Sequence, residues 1–85
     1  MSDEQEEYLG AIKLFATAFV PRKYMLCDGR TLSVRDHPAL FSLLGAQFGG
    51  DARSTFCLPD LKGMEPVPHT QYCICVDGLY PMRPD

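Results

Sequence analysis

The stretch Thr55-Phe56-Cys57-Leu58-Pro59-Asp60-Leu61-Lys62-Gly63 decides most of the fold, because it alternates extended and turning segments. Residues 55–58 are short and apolar, which predicts a strand. Pro59-Asp60 ends this strand, since proline donates no hydrogen bond to a sheet and aspartate favours turns. Upstream, the polar residues 47–54 include Gly49-Gly50-Asp51 and predict a loop. Downstream, Pro66 and Pro68 exclude helix and favour a stiff connector.

Residues 36–44 are predicted to form the one helix. Asp36 is the expected N-cap, Pro38 is tolerated in the first turn, and Gly45 supplies a left-handed stop. The apolar stripe of this helix comprises Leu40, Phe41, Leu43 and Leu44. Nine residues are too few for a helix that is stable by itself, so we expect it to pack on a sheet.

Four further segments, residues 11–16, 24–27, 31–33 and 71–76, are predicted to be strands. Alternation in the first places Ile12 and Leu14 on one face, half-buried, with Lys13 and Phe15 on the other. In the last strand Tyr72, Ile74 and Val76 share one face, and Cys73 and Cys75 the other. The predicted class is therefore α+β, with short antiparallel strands around one short helix. Residues 1–9 are predicted to be a flexible acidic tail, and residues 10–85 a single domain.

Composition bounds the function classes. The chain has 85 residues, 46% of them hydrophobic, and a net charge of −3, with scattered basic residues that do not favour nucleic acid binding. The acidic start is not a secretory signal and no stretch is long enough to span a membrane, so we expect synthesis in the cytoplasm. Disulfides are unusual there, so the four cysteines are expected to be free and mostly buried thiols.

Five motifs, taken in order, resemble the phage tail collar domain family, which includes the bacterial microcystin-dependent proteins. They are Gly10-x-Ile12-x-Leu14-Phe15; Pro21-x-x-Tyr24-x-x-Cys27-Asp28-Gly29; Leu40-Phe41-x-Leu43-Leu44-Gly45; Phe48-Gly49-Gly50-Asp51; and Thr55-Phe56-x-Leu58-Pro59-Asp60-Leu61-x-Gly63. The end of the chain, with Tyr72-Cys73-Ile74 and Tyr80-Pro81, is similar to that of short family members. The resemblance implies an oligomeric, commonly trimeric, fibre component near the host-contacting end of a tail, and no catalytic residues.

The chain departs from the family pattern at two places. Lys23-Tyr24 stands where the family usually has Gly-Trp, so a different local turn is expected. Only residues 64–70 separate the Pro59-Asp60-Leu61-x-Gly63 motif from the last strand, where family members usually carry a long glycine-rich region. The short connector favours a minimal collar whose task is to trimerise, cap or join.

The leading interpretation is a non-enzymatic collar or tip module of a phage or phage-derived tail fibre, acting in a virion tail or tail-like particle. A domain with one short helix covers one sheet face well, so the other apolar face is expected to meet a partner chain. The interface candidates are Phe15, Tyr72, Ile74 and Val76. The expected partners are further copies, making a trimer, and other tail-fibre or baseplate proteins.

Two alternatives share the same module. One is an adhesin that binds cell-surface glycans, because exposed tyrosines stack on sugar rings while Asp and Arg bond hydroxyls. Its candidate residues are Tyr24, Asp28, Arg30, Tyr80 and Arg83. The other is a subunit of a bacteriocin or contractile injection particle, which this sequence does not separate from a phage.

A metal site and an enzyme site are not predicted, and no cofactor is expected. Cys73, Cys75 and His69 are the residues whose type suits zinc, with Cys27, Cys57 and His37 as further ligands, but the Cys-x-Cys spacing is not that of a zinc knuckle. Asp28, Asp51 and Asp60 have the oxygen ligands that calcium prefers, yet they lack fixed loop spacing. No nucleophile motif surrounds any cysteine.

Overall fold

The computed structural model describes residues 7–82, which form six short regular elements. These are β1 (Ile12–Phe15), β2 (Tyr24–Leu26), β3 (Thr31–Ser33), α1 (Pro38–Leu44), β4 (Thr55–Cys57) and β5 (Gln71–Cys75). All strand pairs are antiparallel. The predicted class, short antiparallel strands with one short helix, is confirmed. Within these residues no helix has the length and apolar character needed to cross a membrane.

The larger sheet has the order β1-β5-β2, so the last strand of the chain lies at its centre. Ile74 of β5 pairs with Ile12 of β1 on one side and with Met25 of β2 on the other. Because side chains alternate along a strand, Ile74 points to one face and its neighbours Cys73 and Cys75 to the opposite face. All three side chains have no exposed surface, so both faces of the central strand are covered.

The helix covers the face that carries Ile74. Leu40 is buried at the centre of the main core with Phe56 of β4 and Ile74. Phe41 packs obliquely on Phe56, with ring centroids 5.4 Å apart. The helix begins later than predicted: the N-cap is His37, not Asp36, and its side chain makes no capping hydrogen bond. Pro38 occupies the first turn, where its missing N–H is not needed, and Gly45 ends the helix with φ 60° as predicted.

The second sheet, β3 with β4, is joined to the first by a backbone clasp between two turn motifs. Asp28 and Asp60 form an isolated antiparallel bridge. Around it, Gly29 N–H donates to the Pro59 carbonyl at 3.2 Å, and Leu61 N–H donates to the Cys27 carbonyl at 2.9 Å. The Cys27-Asp28-Gly29 and Pro59-Asp60-Leu61 segments, distant in sequence, therefore satisfy each other's main-chain groups.

The glycine-rich loop before β4 lies directly against that strand. A Cβ placed on Gly50 would lie 2.4 Å from the Cα of Phe56, and its φ of 100° already favours glycine. Beside it, one Asp51 carboxylate oxygen accepts N–H bonds from Arg53, Ser54 and Thr55 at 2.8–2.9 Å. These bonds hold the pKa of Asp51 well below its usual range, the Arg53 bond contributing most. The Asp51 carboxylate therefore holds the turn by bonding the backbone N–H groups of the residues that follow it.

The domain begins earlier than predicted. Leu9, assigned to the flexible tail, is 6% exposed and belongs to the main core. Its N–H donates to the Leu79 carbonyl at 2.8 Å, and Leu79 N–H donates to the Glu7 carbonyl at 2.8 Å. Residues 7–9 are therefore part of the fold, while the rest of the predicted tail, residues 1–6, lies outside the described residues.

Lys23, which stands where the family usually has glycine, adopts a backbone conformation that is unusual for lysine. Its φ is 71°, in the left-handed region that glycine adopts without strain. Its carbonyl still accepts the Val76 N–H at 2.8 Å, which extends the pairing of β2 with β5 by one step. The loss of glycine at this turn is therefore accommodated as strain at Lys23.

Candidate functional site

The second face of the larger sheet is a small apolar cluster that we call the thiol face, formed by Phe15, Tyr24, Leu26, Cys73 and Cys75. Phe15 and Tyr24 meet edge to face, with ring centroids 5.1 Å apart and an angle of 77° between the rings. Tyr24 is only 9% exposed. The face predicted to await a partner chain is thus largely closed by side chains of the same chain.

Glu7 closes the thiol face at its polar end. Its Oε1 atom accepts hydrogen bonds from the Tyr24 hydroxyl and, at 3.1 Å, from Lys13 Nζ. The Tyr24 bond, and after it the Lys13 bond, lower the pKa of Glu7. Burial and then the Glu7 bond raise the pKa of Tyr24, and the Glu7 bond raises that of Lys13. The ionised carboxylate is therefore the form that this arrangement stabilises.

The four predicted interface residues do not form an exposed surface. Ile74 has no exposed surface and belongs to the main core, so its prediction as an interface residue is wrong. Phe15, Tyr72 and Val76 are half-buried and pack against the two apolar clusters. Sequence alternation identified the two faces correctly but could not show that the N-terminal segment reaches over the second one.

On the larger sheet, exposed apolar side chains lie instead on β1. These side chains were expected to be half-buried. Ile12 is 43% exposed and Leu14 is 37% exposed. We call these two residues the first-strand stripe. They lie on the same face as Ile74, but β1 is at the edge of the sheet, where the helix does not cover them. The strand order, which alternation does not encode, decides this difference.

The backbone of the first-strand stripe is also directed outward. Cys75 N–H donates to the Ala11 carbonyl at 2.8 Å, which makes this pair a hydrogen-bonded one. Bonded and non-bonded pairs alternate in antiparallel sheets, so Lys13 bonds to β5 while Ile12 and Leu14 direct N–H and C=O away from it. In the described part of the chain, no segment outside the ladder bonds to those groups. The edge therefore offers both apolar side chains and hydrogen-bonding groups.

A second group of exposed apolar side chains lies where β1 leads into β2. Phe19 is 66% exposed. The loop is fixed in place because Gln71 Nε2 donates to the carbonyls of Thr17 and Phe19, each at 3.2 Å. Other large apolar side chains that are at least one-third exposed are Tyr8, Val20, Phe48, Met64, Val67, Leu79, Tyr80 and Met82.

The predicted glycan-binding residues do not come together as a site. Tyr24 is buried and its hydroxyl bonds Glu7, so its ring faces are not available for stacking, which corrects that prediction. Arg30 forms a two-pronged pair with Asp28, at 3.0 and 3.1 Å, which raises the pKa of the arginine and lowers that of the aspartate. Tyr80 is exposed, and its hydroxyl lies 2.6 Å from Ser42 Oγ. Arg83 lies outside the described residues.

The cysteine and histidine residues are also dispersed. Cys73 and Cys75 are fully buried in the thiol face, whereas His69 is exposed in the connector with φ 64°. Burial raises the pKa of Cys73, and it raises that of Cys27 to about 11, which makes Cys27 a poor nucleophile. Among residues 7–82, no three His, Cys, Asp or Glu side chains gather closely enough to hold a metal ion.

The family model for the Phage Tail Collar Domain matches residues 10–66, which contain all five of the motifs quoted above and both partners of the backbone clasp. A search of curated proteins finds no match to this chain.

Proposed function

The chain belongs to the phage tail collar domain family, and from this membership we propose that it is a non-enzymatic collar or tip module that self-assembles within a tail fibre. The observation that carries the proposal is the family match over two-thirds of the chain. The family is one of structural tail-fibre domains, which implies a component of a virion tail. A phage-derived particle, such as a bacteriocin or contractile injection device, uses the same kind of part.

The proposed assembly is a homotrimer, and the first-strand stripe supports it. Within residues 7–82, Ile12 and Leu14 leave apolar surface and main-chain hydrogen-bonding groups unpartnered at one sheet edge. An exposed edge is normally covered, blunted or paired, and pairing with another copy covers it. Three copies around one axis each present two different surfaces to their neighbours. The fixed Phe19 loop is the second apolar surface that this arrangement requires.

Light scattering coupled to size-exclusion chromatography tests the assembly. The purified chain should elute with three times the 9.5 kDa mass of one copy, and Leu14→Glu should shift it to a single copy. Lys62→Glu, at an exposed position after β4, is the control and should leave the mass unchanged. A folded single copy for the unchanged chain at high concentration would contradict self-assembly.

The proposed module supports host attachment through the fibre that contains it, with other fibre or baseplate proteins as neighbours. Direct binding of host glycans stays a prediction. Of the candidates described above, Tyr80 keeps an exposed ring, 45% of its surface being accessible. A glycan array probed with the assembled protein and with Tyr80→Ala separates the two roles, because a purely structural module binds no glycan in either form.

A further inference from the structure

Residues 7–10 run across the end of the larger sheet as a strap. Three main-chain hydrogen bonds hold them to the rest of the fold: Leu9 N–H to Leu79, Leu79 N–H to Glu7 and Gly10 N–H to Cys75. Tyr8 itself is half exposed, so Leu9 is the only large side chain that the strap buries completely. Gly10, with φ 87°, joins the strap to β1. An element held by one buried side chain opens more readily than the core around it.

The strap is fastened on the other face of the sheet by the Glu7 carboxylate. The side chain of Glu7 is 25% exposed, and that of Lys13 is 51% exposed, so water and protons reach their contact. Tyr24 supplies the buried part of the fastening, because its ring belongs to the thiol face and its hydroxyl bonds Glu7. Breaking the Glu7 contacts therefore loosens the strap and removes the polar cover of Tyr24 together.

Gly78 separates the strap from a buried thiol. A Cβ placed on Gly78 would lie 2.4 Å from the Glu7 carbonyl oxygen and 3.0 Å from Cys75 Sγ. Gly78 thus fits between the strap and Cys75 with no space for a side chain. Cys75 and its neighbour Cys73 have no exposed surface while the strap is in place.

We propose that residues 7–10 form a releasable strap, fastened by the Glu7 carboxylate, whose opening uncovers the Cys75 end of the thiol face while the main core, apart from Leu9, stays folded. The module then has two states. In the closed state one chain covers both faces of its sheet. In the open state the Cys75 end of the thiol face meets solvent. This inference concerns a conformational device and does not depend on the proposed trimer.

The pH dependence of the strap follows from the groups around Glu7. Lys13 on β1 and Lys23 before β2 are the cations that favour its ionised form, and Tyr24 is the hydroxyl donor. Asp77, on the segment that leads to Leu79, is exposed and makes no side-chain bond to Glu7. Because the closed state lowers the pKa of Glu7, the fastening is fully present above the ordinary value near 4.5 and is lost as pH falls through the lower closed-state value.

Thiol labelling of the full chain measures the opening directly. We would use 4,4′-dithiodipyridine, which reacts in acid as well as at neutral pH, followed by tryptic digestion and mass spectrometry. The sequence places Cys27 on the peptide of residues 24–30, Cys57 on residues 54–62, and Cys73 with Cys75 on residues 63–85. Opening of the strap is therefore followed on the 63–85 peptide, and unfolding of the main core on the peptide that carries Cys27.

Glu7→Gln keeps the shape of the side chain and removes its charge. At pH 7 it should speed labelling of the 63–85 peptide roughly tenfold, the loss expected for a charge-assisted hydrogen bond, with labelling of Cys27 unchanged. The ratio of the variant rate to the unchanged rate should approach 1 at acid pH, where Glu7 of the unchanged chain is itself protonated. Taking this ratio at each pH cancels the intrinsic reactivity of the thiols.

Two further variants make the result decisive. Gly78→Ala should also speed labelling of the 63–85 peptide, because the added Cβ displaces the strap directly. Asp28→Asn, which removes a carboxylate that also has a lowered pKa but pairs with Arg30, should have no effect on this peptide. A Glu7→Gln rate equal to that of the unchanged chain at pH 7, or parallel acceleration of Cys27, would overturn the strap, since the second result means global unfolding.

Discussion

The backbone clasp and the first strand differ in whether their main-chain hydrogen-bonding groups find partners within the described chain. At the clasp, main-chain groups of Cys27, Gly29, Pro59 and Leu61 bond one another, and the adjoining Gly50 loop lies in backbone contact with β4. At the first strand, Ile12 and Leu14 keep apolar surface and backbone groups unpartnered within residues 7–82. The first region fixes the fold of the single chain, and the second remains available to other chains.

The difference between these regions explains why the turn motifs of the clasp are not themselves the exposed apolar surface. Gly29, Gly50 and Asp60 are turn residues whose role is to let two backbone segments approach, as the 3.2 Å approach of a Gly29 Cβ to Asp60 would show. At the two glycines such close contact leaves little room for a side chain. Surface side chains such as Phe19 are not restricted in this way, so two chains that share a fold can bind different partners.

The largest effect is expected at Gly50. Gly50→Ala places a Cβ 2.4 Å from backbone atoms of Phe56, which cannot move without separating the loop from β4. We expect a loss of about 4 kcal/mol in the free energy of unfolding, most of the stability of a domain this size. Thermal unfolding followed by circular dichroism measures it.

Gly63→Ala is the matched control for that substitution. Gly63 also has a positive φ, of 91°, but no atom lies within 4 Å of the Cβ position. It therefore incurs only the conformational strain, about 1 kcal/mol. Equal losses for the two variants would show that backbone strain, and not the contact with β4, sets the requirement for glycine at Gly50.

Truncation of the two isoleucines that pair across β1 and β5 should have different effects. Ile74→Ala should destabilise the chain by about 3 kcal/mol, because it empties a fully buried position. Ile12→Ala, on the same face but 43% exposed, should cost under about 1 kcal/mol and instead weaken self-association. Urea unfolding of dilute samples and light scattering of concentrated ones separate the two readouts. A large loss of stability from Ile12→Ala in dilute samples would place Ile12 in the core.

Much of this fold could be predicted from the sequence, since its elements are short and strongly punctuated. Pro59, Gly45 and the Asp28-Gly29 pair each mark a turn by a local conformational property, so the strands and helix were located to within one or two residues. The exception at the helix start is instructive. Asp36 has the better capping side chain, but helix α1 begins after His37, without a side-chain cap.

The candidate site was harder to predict because it depends on strand order. Alternation assigned Ile12 and Ile74 each to one face of its own strand. Only the placement of β5 at the centre and β1 at the edge makes one exposed and the other buried. Leu9 and Glu7 were missed for a related reason. A single leucine in an acidic segment has no periodic signal, and its role arises from Leu79 and Tyr24, far along the chain.

The smallest effect is expected at Lys23, in the turn that leads into β2. Lys23→Gly should stabilise the chain by about 1 kcal/mol, because it relieves the φ of 71° while the carbonyl bond to Val76 remains. The greater freedom of glycine in the unfolded chain offsets part of this gain. Lys23→Ala keeps the strained conformation and removes the charge, so it should leave the melting temperature nearly unchanged. Equal stabilisation by Lys23→Ala and Lys23→Gly would mean that loss of the lysine charge, and not relief of the positive φ, stabilises the chain.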